Sequence, residues 1–165
     1  MFQVNDIVRY GINGVCRITE VMVRAVGKEQ KEYLVLRPVH DARSTLFVPL
    51  DNGLLIGKMQ QVLAKETVLE LIQAMPTMQT PWIADEAGRK SYVREAMASE
   101  DRKQLVGLIQ MIDNRERELH TVGKKLRYDD EKALRSAEKL LYDEFGYVLG
   151  IKHEQVLDYI KESAQ

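Results

Sequence analysis

Apolar residues recur at every second position along the first part of the chain, then shift to helical spacing near residue 60. Tyr33, Val35, Arg37 and Val39 alternate with Leu34, Leu36 and Pro38, and Leu46, Val48 and Leu50 alternate with Phe47 and Pro49. This pattern, interrupted by Asp41-Ala42-Arg43-Ser44, predicts two strands joined by a short turn. Residues 6–10 and 15–19 flank Gly11-Ile12-Asn13-Gly14 and predict an earlier hairpin. Residues 1–60 thus read as a small, strongly bent β unit, better suited to binding a partner than to forming an enzyme core.

Past Val62-Leu63-Ala64 the spacing predicts a helix over residues 66–75. Pro76 and Pro81 then bracket a break, because neither fits a helix interior. A second helix is expected over 85–98. Ser99 is expected to cap the next, with Glu100 and Asp101 in its first turn, where the helix dipole favours carboxylates. Leu105, Leu108, Ile109 and Ile112 carry that helix to about His120, before Gly123. The strongest stripe starts at Asp129 and Asp130 and runs through Leu134, Ala137, Leu140, Leu141, Phe145 and Val148, with Gly150 at its C-terminal end. A last short helix, 153–160, offers Val156, Leu157 and Ile160. The prediction is an α+β protein: a β module over 1–60, a helix and linker over 61–81, and an all-α bundle over 82–165.

Composition narrows the function classes. A net charge of −1 excludes a bulk polycation, so any nucleic-acid contact must be local. No apolar run is long enough to span a membrane. The start, MFQVND, has neither a basic n-region nor an apolar h-region, so the expected compartment is the cytoplasm. The single cysteine, Cys16, falls in a strand pattern and is expected to behave as a small apolar residue.

Catalytic constellations are missing. His40, His120 and His153 have no partners at metal-ligand spacing, and neither a P-loop, a G-x-S-x-G nor a G-x-G-x-x-G occurs. Asp129-Asp130-Glu131 suits a helix N-terminus, and Asp143-Glu144 is expected on an exposed helix face. No enzyme activity, metal or cofactor is predicted.

Charge is uneven. Residues 88–139 carry thirteen Lys or Arg against ten Asp or Glu, whereas 140–165 carry two against five. Arg89, Lys90 and Arg94 gather at one helix start, and Lys124, Lys125 and Arg127 at a helix connection. Arg115, Arg117, Lys132 and Arg135 lie on the flanking helices. Such positions suit phosphate contacts, and equally suit a solvated surface of mixed charge. Trp82, the only tryptophan, follows a proline and lies off the apolar stripes. It can anchor the linker on the bundle, or it can wedge between base steps from the minor groove.

Several runs resemble a known family. Val4-x-Asp6-x-Val8-x-Tyr10, Gly14-Val15 after a turn, GKEQKEYLVLR over residues 27–37 and Val48-Pro49-x-x-Asn52 resemble the bacterial CarD family of transcription regulators. The same stretch is similar to the RNA polymerase-interacting domain of the transcription-repair coupling factor. In the second half a lone Trp, SED at residues 99–101, EKALRSAEKLLYDEF and the closing VLGI extend the resemblance over nearly the whole chain.

The resemblance implies a Tudor/SH3-like small β-barrel that docks on the RNA polymerase β subunit. It also implies a helical domain that contacts promoter DNA at the upstream edge of the bubble, with low sequence specificity, and stabilises the open complex. On it, Arg24, Phe47 and Pro49 face polymerase. Trp82 is the minor-groove wedge, and Arg89, Lys90, Arg115, Arg117, Lys124, Lys125 and Lys132 contact DNA phosphates. Two positions depart from the pattern. Phe47 stands where a second polymerase-contacting arginine is expected. Asp85 and Glu86 separate Trp82 from Arg89-Lys90, which the family places almost directly after the tryptophan. The expected state is a monomer, with an exposed strand edge as a route to dimers. A second class of reading is a protein–protein adaptor, in which the helical domain binds another protein and Trp82 is structural.

Overall fold

The computed structural model describes residues 2–41 and 43–163, so Ala42 of the expected turn lies outside the described residues. Two compact units divide between Leu63 and Ala64. The first is a five-stranded antiparallel sheet in the order β4-β3-β2-β1-β5. Its strands are β1 (Ile7–Tyr10), β2 (Val15–Val26), β3 (Glu29–Pro38), β4 (Leu46–Pro49) and β5 (Met59–Gln61), with a short helix, α1 (Gly53–Ile56), before β5. Beyond the sequence-based expectation, β2 continues past Thr19 for seven residues to make a long hairpin with β3.

The chemistry of that hairpin is local. Gly27 turns it at φ 64°, a conformation that only glycine adopts without strain. A bulge between Ile18 and Glu20 inserts Thr19, whose hydroxyl donates to the Val35 carbonyl at 3.2 Å. The extra residue reverses the facing of everything after it. Ile18 faces Leu36 in the core, but beyond the bulge Val21 pairs with Leu34, and Glu20 pairs with Val35 on the other side. The core, between Val8, Tyr10, Cys16, Ile18, Leu34, Leu36, Val48 and Met59, therefore covers only the base of the hairpin. Val21 and Val23 continue that face into solvent.

The sheet does not close into the expected barrel. Among the described residues no pairing joins β4 to β5, and β5, three residues long, pairs with β1 alone. Closure needs continuous pairing around the ring, and α1 occupies the chain between those two strands.

The second unit is helical: α2 (Lys65–Ala74), α3 (Glu86–Ala98), α4 (Arg102–Thr121), α5 (Tyr128–Leu149) and α6 (His153–Ser163). The α2 helix, expected with the linker in a segment of its own over 61–81, contacts α5 and α6 and falls in this unit. Asp101, not Ser99, caps α4. Its carboxylate accepts from the Lys103 amide at 3.0 Å, while the Ser99 hydroxyl accepts from the Asp101 amide. No helix among the described residues is long and apolar enough to cross a membrane.

Asp143 and Glu144 do not lie on an exposed face, as their charge suggested; both are buried. Glu144 accepts from Arg102 through Nε and Nη2 at 2.8 and 2.9 Å, a bidentate pair between the start of α4 and the far end of α5. Asp143 meets Lys139 at 2.6 Å and the His153 ring at 2.7 Å.

Two stability predictions follow from these environments. Glu144→Ala leaves the Arg102 charge buried opposite a void and should cost about 3–5 kcal/mol in chemical denaturation, whereas Arg102→Met with Glu144→Leu should cost far less. A small loss in the single variant would show that water reaches the pair. In the β unit, burial pushes the Cys16 thiol from 9.0 up to about 11, and burial followed by Cys16 raises Tyr10. Between pH 9 and 11 the unfolded chain has released the Cys16 proton and the folded chain retains it, so stability should fall as pH rises. Cys16→Ala should flatten that decline in urea unfolding measured from pH 8 upward; an unchanged slope would assign it to other groups.

Candidate functional site

Two surfaces gather the residues that the sequence singles out, one on each unit. On the β unit, the register puts Glu20, Val35 and Phe47 in one cross-strand row and Met22, Tyr33 and Pro49 in the next. Rows share a face of the sheet, so Arg24, two residues beyond Met22, lies on the same face as Phe47 and Pro49. Its guanidinium carbon stands 4.3 Å from the centroid of the Phe47 ring. The structure thus brings all three expected residues together, with Arg24 laid over Phe47. Both Arg24 and Phe47 are exposed. Residues 20–26 of β2 pair with β3 on one side, while the β1 ladder stops at Arg17. The remaining edge of β2 runs along this surface.

On the helical unit, Trp82 lies in irregular chain between Thr80 and α3 and is partly buried. Asp85 caps α3 by accepting from the Gly88 amide at 2.9 Å, so the helix starts at Glu86 and Arg89 falls in its first turn. From there the Arg89 guanidinium carbon sits 4.6 Å from the Trp82 ring centroid, and that of Arg115, from α4, sits 5.4 Å away. Arg89 is buried. Its Nε donates to Asp130 at 2.8 Å and its Nη1 donates to the carbonyls of Ile83 and Ala84 at 3.0 and 3.3 Å.

A depression of about 290 Å³ opens beside the indole, lined by Trp82, Arg89, Arg115, Lys125, Arg127, Glu86 and Asp130 among others. A neighbouring one of about 280 Å³ takes in Lys90 and Arg94. Of the expected phosphate contacts, Arg115 and Lys125 line the depression beside the tryptophan and Lys90 lines the neighbouring one. Arg117, Lys124 and Lys132 are exposed but line neither depression. Arg127, outside the expected set, faces both and meets Glu86 at 3.9 Å. The signal for it was present in the run Lys124-Lys125-Leu126-Arg127. Several of these cations have exposed carboxylate neighbours: Lys90 meets Glu86 at 3.4 Å, Arg117 meets Asp113 at 2.9 Å and Arg115 meets Glu118 at 3.4 Å. Exposed pairs of this kind hold their partners weakly and leave them available to a phosphate.

Among the described residues no group of three or more His, Cys, Asp or Glu converges as metal ligands would. The side chains can offer cations, aromatic faces and strand-edge hydrogen bonds, which are means of binding macromolecules.

A binding module of open β sheet joined to a helical unit is the class that this geometry defines. Residues 2–62 match the family model of the CarD-like/TRCF RID domain, a span that coincides with the β unit. The β unit is therefore a domain of this RNA polymerase-interacting, transcription-related family, which supports RNA polymerase as a partner.

Proposed function

We propose that the protein is a non-enzymatic transcription regulator of the bacterial cytoplasm. It docks as a monomer on the RNA polymerase β subunit and touches promoter DNA near the upstream edge of the bubble, stabilising the open complex. The observation that carries this reading is the combination, in one chain, of an RNA polymerase-interacting domain with a tryptophan held at a basic surface depression. The free edge of β2 suits extension of the sheet by a strand of the β subunit, and Arg24 over Phe47 offers a charge and an aromatic face beside it. Exposed Val21 and Val23 add apolar area along the same hairpin.

Toward DNA, the indole is the wedge and the exposed lysines and arginines hold phosphates. Lys125 and Arg115 are nearest, with Lys90, Lys124, Lys132 and Arg117 farther out. A wedge flanked by phosphate contacts reads how easily a base step opens, more than which bases compose it, so sequence specificity is low.

The test is promoter opening by purified bacterial RNA polymerase, followed with a fluorescent probe in the melted region. The protein should lengthen the lifetime of the open complex. Trp82→Ala should abolish that effect while leaving polymerase binding intact, and Arg24→Glu should abolish binding itself. Loss of both properties in either variant would refute the division of labour. An unchanged lifetime with docking intact would assign the helical unit to a protein partner instead.

A further inference from the structure

We propose that Arg89 and Asp130 form a strut that fixes the attitude of the Trp82 indole, so that Arg89 serves as a positioning residue and not as a phosphate contact. This rests on the reading of Trp82 as the DNA-contacting side chain. Trp82 belongs to no helix or strand, so the backbone ladder around it does not set its orientation. Tertiary contacts must do so, and they close on it from both sides.

Ahead of it, Thr80 fits a notch at Gly107 of α4. A Cβ at Gly107 would stand 2.9 Å from the Thr80 hydroxyl and 3.0 Å from the Tyr92 hydroxyl, so only glycine leaves room for that approach. Behind it, one guanidinium reaches the ring and the two residues that follow it. Arg89 covers the ring at 4.6 Å, ties down the next two carbonyls at 3.0 and 3.3 Å, and is anchored by Asp130 at 2.8 Å. The planar fork matters. Using Nε for the carboxylate fixes the plane of the group, which directs Nη1 to the carbonyls while the guanidinium carbon stays over the indole. A lysine supplies the charge but has no plane to orient.

Asp130 sits in the first turn of α5, so the indole is referred through the strut to the longest helix of the unit. Arg115 has none of this. It stands farther off at 5.4 Å, its side chain is 37% exposed, and its ion pair with Glu118 is on the surface. It is free to leave the ring for a phosphate while Arg89 stays.

Trp82 is the only tryptophan, so fluorescence excited at the red edge, where tyrosine does not absorb, reports this ring alone. The experiment compares wild type, Trp82→Ala, Arg89→Lys and the double variant Arg89→Met/Asp130→Leu, which removes both buried charges together and so spares the fold. Acrylamide quenching and emission anisotropy read the ring, and the open-complex lifetime with RNA polymerase reads its function. In both strut variants, with helicity and polymerase binding at wild-type levels, quenching should increase and anisotropy fall. The open-complex lifetime should shorten about fivefold or more, the lower range for losing an aromatic contact to a base. Wild-type quenching and lifetime in folded strut variants, with Trp82→Ala still defective, would overturn the strut and leave the DNA reading standing. A normal lifetime in Trp82→Ala would instead overturn the DNA reading, and the purpose of the strut with it. If the double variant fails to fold, Arg89→Lys, which keeps a cation beside Asp130, decides between these outcomes.

Discussion

The helical unit depends on two buried arginine–carboxylate pairs presented by a single helix. Asp130 near the start of α5 holds Arg89 of α3, and Glu144 near its end holds Arg102 at the start of α4. The two carboxylates are about 21 Å apart along the axis. Such pairs add little net stability, because desolvating both charges cancels most of their attraction. Their effect is on register. A helix that slid or rotated by one residue would leave a charge buried alone, at a cost that an apolar stripe by itself does not impose. The long stripe of α5 supplies the cohesion, and we infer that the two pairs favour one alignment of α3 and α4 beside it.

What was legible in the sequence followed from local chemistry. Element type could be read wherever the period was regular, and so could the ends of α5, where Asp129, Asp130 and Gly150 mark the boundaries. The second half of β2 was not legible. Thr19 is inserted at the bulge, so the alternation that begins at Val15 changes phase and looks like irregular chain between charged residues. The barrel expectation came from resemblance, whereas closure depends on whether two short strands meet in space. Asp143 and Glu144 looked solvated because two adjacent charges on a helix ordinarily are. Glu144 has its partner 42 residues away.

The candidate site was legible as a list and illegible as an arrangement. Trp82 stood out by isolation, and the basic clusters by composition. Arg89 and Lys90 are neighbours in sequence with opposite situations. One points inward to Asp130 and the other outward to Glu86, because consecutive helical positions lie about 100° apart. The longer connection from Trp82 to Arg89, where the chain departs from the pattern of the resemblance, also has a structural account. Asp85 caps α3, and the carbonyls of Ile83 and Ala84 fold back onto Arg89, so the longer connection is tied down to the helix that follows it.

The charge around the tryptophan then acquires a mechanistic sense. Glu86 and Asp130 sit among the cations of its depression, so the surface is basic in places but not strongly positive as a whole. Affinity for DNA scales with the number of phosphates neutralised, and a surface of this kind neutralises few. On free DNA such a protein binds weakly and seldom. On the proposed function, tethering through the β unit to polymerase brings it to the promoter at an effective concentration toward the millimolar range, where weak contacts suffice. A stronger basic face would bind anywhere on the chromosome and would not need the tether. On the proposed function the mixed charge makes the DNA contact conditional on docking, and a wedge whose aim is fixed in advance by a neutralised Arg89 suits that condition, because it adds orientation without adding general attraction for phosphate.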